Sequence, residues 1–131
     1  MELPTINYAR FNGQPYKYVY GVSYNKRPYS VVKLNVSDPS AAICEQRYEP
    51  QDKEDDYLPG EPVFVESPNA QSEDDGVVLV LVLAKQRDYL SILDAKDMSE
   101  IARAEMPADT KGAYTFHGFF ADNKNFSKLD V

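Results

Sequence analysis

The chain has 131 residues and carries 21 acidic against 14 basic side chains, for a net charge of −7. A chain of this length suits one domain and buries about two thirds of its unfolded surface, enough for a single core. The sequence contains no basic stripe, which argues against nucleic acid and anionic membrane surfaces as partners. The longest apolar run, residues 77–84, is too short to cross a bilayer, so we expect a soluble protein.

The cysteine content and the first residues bear on the compartment. Cys44 is the single cysteine and has no partner for an internal disulfide, which is typical of a reducing compartment. The opening residues lack the basic and apolar segments of a signal peptide. We therefore expect a cytoplasmic location.

Short runs rich in tyrosine and β-branched residues, each bounded by turn residues, predict strands. The predicted strands cover residues 16–24, 31–36, 43–48, 62–66, 77–84, 89–95 and 101–106, and a last extended segment covers 112–120. Residues 49–60 are acidic, contain two prolines and lack periodicity, which predicts a solvated loop. Residues 77–84 are apolar on both faces, so we expect an interior strand covered above and below.

Two stretches of the sequence resemble each other. Residues 34–40 align with residues 93–99, each being a strand followed by a polar turn and then by a strand that carries Ile43 or Ile101. Units of short antiparallel strands that repeat in this way are typical of β-propeller blades, and about two such blades fit here. A blade buries its faces only against neighbours, so the chain is either part of a larger closed structure or has an exposed apolar face. We favour the first alternative.

The only histidine, His117, lies between aromatic pairs, after a predicted extended segment and before Gly118. Histidine is the side chain best suited to metal or proton chemistry at neutral pH, and the glycine allows a tight turn or a close approach of the backbone. From the residues alone, a half-buried, hydrogen-bonded structural histidine is favoured over a metal ligand.

Seven short stretches follow one another as in one enzyme family. They are ELPTIN at 2–7, YVYG at 18–21, GEPVFV at 60–65, EDDGVVL at 73–79, LDAK at 93–96, IARAE at 101–105 and FHG at 116–118. The chain resembles the C-terminal part of the animal carotenoid cleavage oxygenases, and within them the β-carotene oxygenases and the retinoid isomerohydrolase of the retinal pigment epithelium. This resemblance spans residues 2–120. Ala113, where a proline is common, and the tail at 121–131 depart from the family pattern.

The resemblance implies an all-β fold, the C-terminal blades of a seven-bladed β-propeller, with residues 1–120 forming about two blades and residues 121–131 a tail. It implies a non-haem Fe(II) on the propeller axis, held by four histidines of which three are oriented by glutamates. The implied reaction is cleavage of a conjugated double bond of a carotenoid by O₂, giving apocarotenal or retinal products. There are two alternatives to this function. One is the isomerisation and hydrolysis of a retinyl ester by an enzyme of the same family, and the other is a truncated, non-catalytic β-rich binding protein.

The resemblance also assigns roles to individual residues. His117 matches the last of the four iron ligands, so the 131 residues alone lack three of the four and are expected to be inert. Glu61 matches a glutamate that accepts the free imidazole N–H of an iron ligand, with an ordinary loop carboxylate as the alternative. Phe116 either lines the substrate tunnel or packs without such a role.

Two further features are given structural interpretations. The acidic run at residues 73–76 lacks the ligand spacing of a calcium loop and predicts a solvated turn. Cys44 is read as a small core or face residue of a strand rather than a nucleophile, because the only histidine is already assigned.

Overall fold

The protein was analysed as a computed structural model, which describes residues 1–38, 40–50 and 57–121. Its elements are, in chain order, β1 (Glu2–Thr5), α1 (Tyr8–Phe11), β2 (Tyr18–Ser23), β3 (Ser30–Asn35), β4 (Ile43–Tyr48), β5 (Tyr57–Pro59), β6 (Val63–Glu66), β7 (Gly76–Ala84), β8 (Tyr89–Asp94) and β9 (Glu100–Glu105). The first sheet has the strand order β1-β2-β3-β4, and the second has the order β5-β7-β8-β9 with β6 also paired to β7. All these pairings are antiparallel. The expectation of a mostly β fold is thus confirmed.

The seven predicted strands are all present, with bounds that move by one or two residues at most. The sequence did not predict β1, α1 or β5, which are too short to show a period. β5 lies in the stretch expected to be a solvated loop, and Tyr57 on it is buried. The other part of that predicted loop, residues 51–56, and the predicted tail beyond residue 121 lie outside the described residues.

The long strand β7 is interior, as predicted, because β8 pairs with one of its edges and β5 and β6 pair with the other. Its valines and leucines alternate in burial. Val78, Val80 and Val82 are fully buried, whereas the leucines between them are half-buried. The expectation of cover above and below therefore holds for one face only, and the other face is partly open.

The buried face of β7 belongs to a core that the two sheets share. Tyr20 of β2 stacks on Phe64 of β6 with ring centroids 5.6 Å apart, and its hydroxyl donates a hydrogen bond of 3.0 Å to the carbonyl of Ala95. Each large side chain buried here contributes about 1.5–3 kcal/mol. The buried members of this core are Tyr20, Val31, Tyr48, Tyr57, Val78, Val80, Val82, Tyr89, Leu93, Ala95 and Met98.

The acidic run at residues 73–76 forms a turn, as predicted, but the turn is half-buried and not fully solvated because it joins the two sheets. The Lys33 ammonium on β3 donates to the Asp74 carboxylate at 2.7 Å and to the Lys96 carbonyl at 2.9 Å. The Glu73 carboxylate accepts the backbone N–H groups of Lys17 and Tyr18 at 2.7–2.9 Å. Sequence reasoning missed this role because both partners of the turn lie more than 40 residues away.

A bulge in the edge strand beside β7 determines where the candidate site lies. Pro59 of β5 is opposite Val82 and Val63 of β6 is opposite Leu79, so residues 60–62 stand against only two residues of β7. The Gly60 N–H still donates to the Leu81 carbonyl at 2.8 Å. An extra residue of this kind bends the strand and redirects side chains. Glu61, at its centre, leaves the ladder that holds its neighbours.

Candidate functional site

The segment that carries the candidate ligand follows β9 and covers part of the open face of β7. Residues 106–121 contain no helix or strand, so the segment predicted to be extended at 112–120 does not pair with a sheet. His117 has 79% of its side chain exposed, and the expectation of a half-buried structural histidine is wrong. Without ladder hydrogen bonds, the segment depends on contacts from side chains of the sheet to fix its course.

Glu61 makes two of these contacts. Its Oε1 lies 3.1 Å from Nδ1 of His117, and its Oε2 accepts the Gly118 backbone N–H at 2.9 Å. The Glu61 side chain is 15% exposed, well below the exposure of its histidine partner. The bulge and the return segment thus meet at one carboxylate, although the paired residues are 56 positions apart.

The Glu61 carboxylate determines which histidine nitrogen carries the proton. An ionised carboxylate only accepts hydrogen bonds, so the Nδ1 atom that faces it is the protonated nitrogen of a neutral imidazole. Nε2 then keeps its lone pair, which is the state required of a metal ligand. The arrangement fits one imidazole position on a metal such as Fe(II), with Glu61 orienting the ring.

The upstream part of the return segment is held by Asp88, at the turn between β7 and β8. Its Oδ2 accepts the Gly112 backbone N–H at 2.7 Å, and its backbone carbonyl accepts the N–H of Met106 at 2.9 Å. Lys111 donates to the Ala84 carbonyl at 3.0 Å. Sequence reasoning missed these anchors, because an aspartate before a strand is an ordinary turn residue and its partner lies 24 residues away.

A cavity of about 300 Å³ lies between the return segment and the open leucine face of β7. Its walls are largely apolar and include Leu79, Leu81, Tyr114 and Phe119. Glu61 is a charged residue that also lines the cavity. Phe116 is not among its lining residues. That side chain is 70% exposed and packs edge to face on Tyr114 with ring centroids 5.8 Å apart. The tunnel role of Phe116 stays a prediction.

A complete metal site is not formed by the part of the chain that the structure describes. Within residues 1–38, 40–50 and 57–121, no group of three or more histidine, cysteine, aspartate or glutamate side chains could hold a metal ion. Cys44 is exposed on β4, so of the two placements expected for it the strand face is confirmed and the core is not. The described residues also contain no helix long and apolar enough to span a membrane.

A sequence profile of the family "Retinal pigment epithelial membrane protein" matches residues 1–122, nearly the whole chain. The chain belongs to this carotenoid cleavage oxygenase family. Among curated proteins, it is 37% identical over 124 residues to the "Carotenoid-cleaving dioxygenase, mitochondrial" of Mustela putorius furo. It is also 37% identical over 125 residues to the human "Beta,beta-carotene 15,15'-dioxygenase". Each of these alignments covers 92% of this chain and 21% of the relative.

Solved structures of the family match the fold. An ACO/RPE65 chimera, in which ACO stands for apocarotenoid oxygenase, superposes with a TM-score of 0.73 at 29% identity, covering 93% of this chain and 25% of that chain. A cobalt-substituted Synechocystis ACO superposes with a TM-score of 0.64 at 26% identity, covering 86% and 24%. This carotenoid cleavage oxygenase chain therefore spans about a fifth of the length of its curated relatives and a quarter of these structures.

Proposed function

We propose that this chain is part of a carotenoid cleavage oxygenase in which His117 is one of the ligands of a non-haem Fe(II). The hydrogen bond between Nδ1 of His117 and the Glu61 carboxylate carries this proposal. The carboxylate accepts this hydrogen bond and favours the tautomer with the proton on Nδ1, which leaves the lone pair of Nε2 for a metal. A histidine with a purely structural role would be expected to be buried, and His117 is exposed.

Each residue of the site has a separate task. Glu61 accepts a hydrogen bond from Nδ1 of His117 and so holds the ring in one orientation, and through Gly118 it also fixes the backbone that carries the ring. His117 supplies Nε2 to the metal. The Fe(II), when bound, supplies the activation of O₂ for cleavage of a conjugated double bond. The cavity beside Glu61 has largely apolar walls, which suit a hydrocarbon substrate better than a polar one.

We further propose that the two sheets are neighbouring blades of a seven-bladed propeller. The superposition on the ACO structures over 86–93% of the chain supports this arrangement. The half-open leucine face of β7 supports it as well, because a propeller blade is covered on both faces only when its neighbours are present. The other histidines required by a four-histidine site would come from blades outside the 131 residues.

The substrate that we propose is a carotenoid cleaved with O₂, because the curated relatives at 37% identity are named as carotenoid-cleaving and β,β-carotene dioxygenases. Cleavage gives carbonyl products, whereas the retinyl-ester alternative gives a retinol isomer and a fatty acid, so product analysis separates the two. Location in the cytoplasm stays a prediction that cell fractionation would check.

Iron content and turnover of the complete oxygenase test the assignment. We expect His117→Ala to abolish iron-dependent turnover and lower bound iron, because one imidazole donor is removed. Glu61→Gln should lower iron affinity or activity by about 10–100-fold, because an amide presents an N–H to one of the two donors that face it. Glu105→Gln, at a half-exposed glutamate on β9, is the matched control. Normal iron content and turnover in both site variants would refute the proposal.

A further inference from the structure

Asp88 is a buried carboxylate that contacts three separate parts of the chain. Only 2% of the residue is exposed. Oδ1 accepts the Ala84 N–H at 2.9 Å at the end of β7, and Oδ2 accepts the Gly112 N–H at 2.7 Å on the return segment. Its backbone carbonyl accepts the N–H of Met106, just after β9, at 2.9 Å. One residue therefore fixes the start of the return segment to the β7–β8 turn.

The charge of Asp88 is supported by its surroundings. Burial raises the pKa of this carboxyl, but the N–H groups of Ala84 and Gly112 and the ammonium of Lys111 outweigh burial and lower the pKa below its ordinary value. The Lys111 ammonium lies 3.5 Å from Oδ1 and also donates to the carbonyls of Ala84 and Lys85 at 3.0 and 3.4 Å. Both carboxylate oxygens accept hydrogen bonds from backbone N–H groups, so the side chain at this position must offer two acceptor atoms.

These contacts place His117 between two anchors. Asp88 fixes the backbone at Gly112, and Glu61 fixes it at Gly118, six residues further along. A segment fixed at both ends samples far fewer conformations than one fixed at a single end. Less conformational entropy is therefore lost when the imidazole of His117 is held in one place. The imidazole is exposed and is not held by core packing, so its position depends on both anchors.

We propose that Asp88 is a positioning residue for His117, acting through Gly112 and the return segment to keep the imidazole in contact with Glu61. The proposal rests on the proposed function insofar as it concerns a metal ligand. It predicts a measurable effect in the metal-free chain, because the Glu61–His117 pair exists without a metal.

Asp88→Asn in the 131-residue chain tests this role, at low salt and at a protein concentration where the chain is monomeric. The amide keeps the size of the carboxylate but turns an N–H₂ group towards one of the two backbone N–H donors. We expect hydrogen exchange of the Gly112 and Gly118 amides to become about tenfold faster, since one charge-assisted bond is lost. The ¹⁵N shifts of the imidazole, the only one in the chain, should move from the Nδ1-protonated form towards a mixture of tautomers.

The matched control is Asp109→Asn on the same segment, where an exposed aspartate contacts the hydroxyl of its neighbour Thr110. It should leave both amides and the imidazole shifts unchanged. The Val80 amide in the centre of β7 reports on the fold and should keep its protection in every variant. If Asp88→Asn does not fold, Lys111→Met replaces it, with a smaller change expected in the same direction.

The positioning role would be overturned if a folded Asp88→Asn or Lys111→Met chain kept slow hydrogen exchange at the Gly118 amide and unchanged imidazole ¹⁵N shifts. The same conclusion would follow if Gly112 and Gly118 were unprotected in the unaltered chain. None of these measurements involves iron. The two proposals can therefore fail separately: His117 could prove not to bind iron while Asp88 still positions its imidazole, and these measurements would show that.

Discussion

The side chains of Lys33 and Asp74 are 2% and 14% exposed, and their ion pair joins β3 to the turn before β7. Taking two charges out of water is costly, and such a pair adds little net stability compared with apolar packing. Removing one partner is a different matter, because the remaining charge then stays buried without compensation. Lys33 keeps only the Lys96 carbonyl and the face of the Tyr18 ring, 4.0 Å away, when the carboxylate is gone.

Asp74→Asn should therefore lower the free energy of unfolding at pH 7 by about 3 kcal/mol, measured by urea denaturation. Burial raises the pKa of Asp74, but the hydrogen bond and charge of Lys33 outweigh it, so the folded-state pKa lies below the ordinary 3.8. The stabilisation is present above pH 3.8 and is lost as the pH falls through the folded-state pKa.

The difference between the unaltered chain and Asp74→Asn should thus shrink as the pH falls below 3.8. Asp109→Asn, at an exposed position, should follow the unaltered chain at every pH. A difference that stays constant down to pH 2.5, well below that ordinary pKa, would show that the ion pair is not its source.

The roles predicted for single residues came from the resemblance to the oxygenase family and not from the local sequence pattern around them. Glu61 and His117 were identified by the stretches that match the oxygenase family, and the structure brings them within 3.1 Å. Their roles at a metal stay predictions. Asp88 and Lys33 were missed, because the partners that define them lie 24 and 41 residues away and leave no periodic signal.

Gly76 and Gly118, two of the four glycines in the matched family stretches, differ in their surroundings. A Cβ on Gly76, at the start of β7, would overlap the Val65 carbonyl oxygen and lie 2.9 Å from the Phe64 ring. A Cβ on Gly118 would have Val63 Cγ2 as its nearest contact, at an ordinary 3.8 Å. Of the two roles expected for Gly118, a tight turn or a close approach of the backbone, the close approach is therefore not found, whereas Gly76 provides one for the β6–β7 pair.

We expect Gly76→Ala to destabilise the chain by about 1–3 kcal/mol, because β6 must move away from β7 to admit the methyl group. Gly118→Ala is the matched control and should change the free energy of unfolding by less than about 0.5 kcal/mol. Thermal or urea unfolding monitored by circular dichroism measures both. An equal loss of stability in the two variants would contradict the difference in close contacts.

Strand prediction succeeded where β-branched or aromatic residues are concentrated between turn signals, as in β2 and β7, which have four each. It failed for β1 and β5, which have four and three residues and take part in a sheet through pairing with longer strands. The return segment reads as a strand because of its aromatics, yet its hydrogen bonds go to Asp88 and Glu61 instead of a ladder.

The described part of the molecule has one closed core between its sheets and one face that is only partly covered. The leucines of β7 are half-buried, and Phe116 and Phe119 on the return segment are 70% and 72% exposed. Adjacent apolar surface of this kind is typical of a region that contacts other protein or a ligand. The net charge of −7 opposes contact between identical chains, and salt screens that repulsion.

We predict that the 131 residues, produced alone, are catalytically inert and self-associate through this face, increasingly so as salt is raised. Size-exclusion chromatography with light scattering at several protein and salt concentrations measures the association. Replacing Phe116 and Phe119 by serine should reduce it, whereas serine at the exposed Ile43 of β4 should not. A monodisperse monomer at all concentrations, with a sharp cooperative melt, would refute the prediction.

The separation of 56 residues between Glu61 and His117 has a consequence for biosynthesis. At about 5–20 residues per second, a ribosome adds the histidine about 3–11 s after the carboxylate. Both sheets precede the return segment in the chain and can close before it is made. The contact between Glu61 and His117 can therefore form only after both sheets have been synthesised, and the sheets can fold first without it.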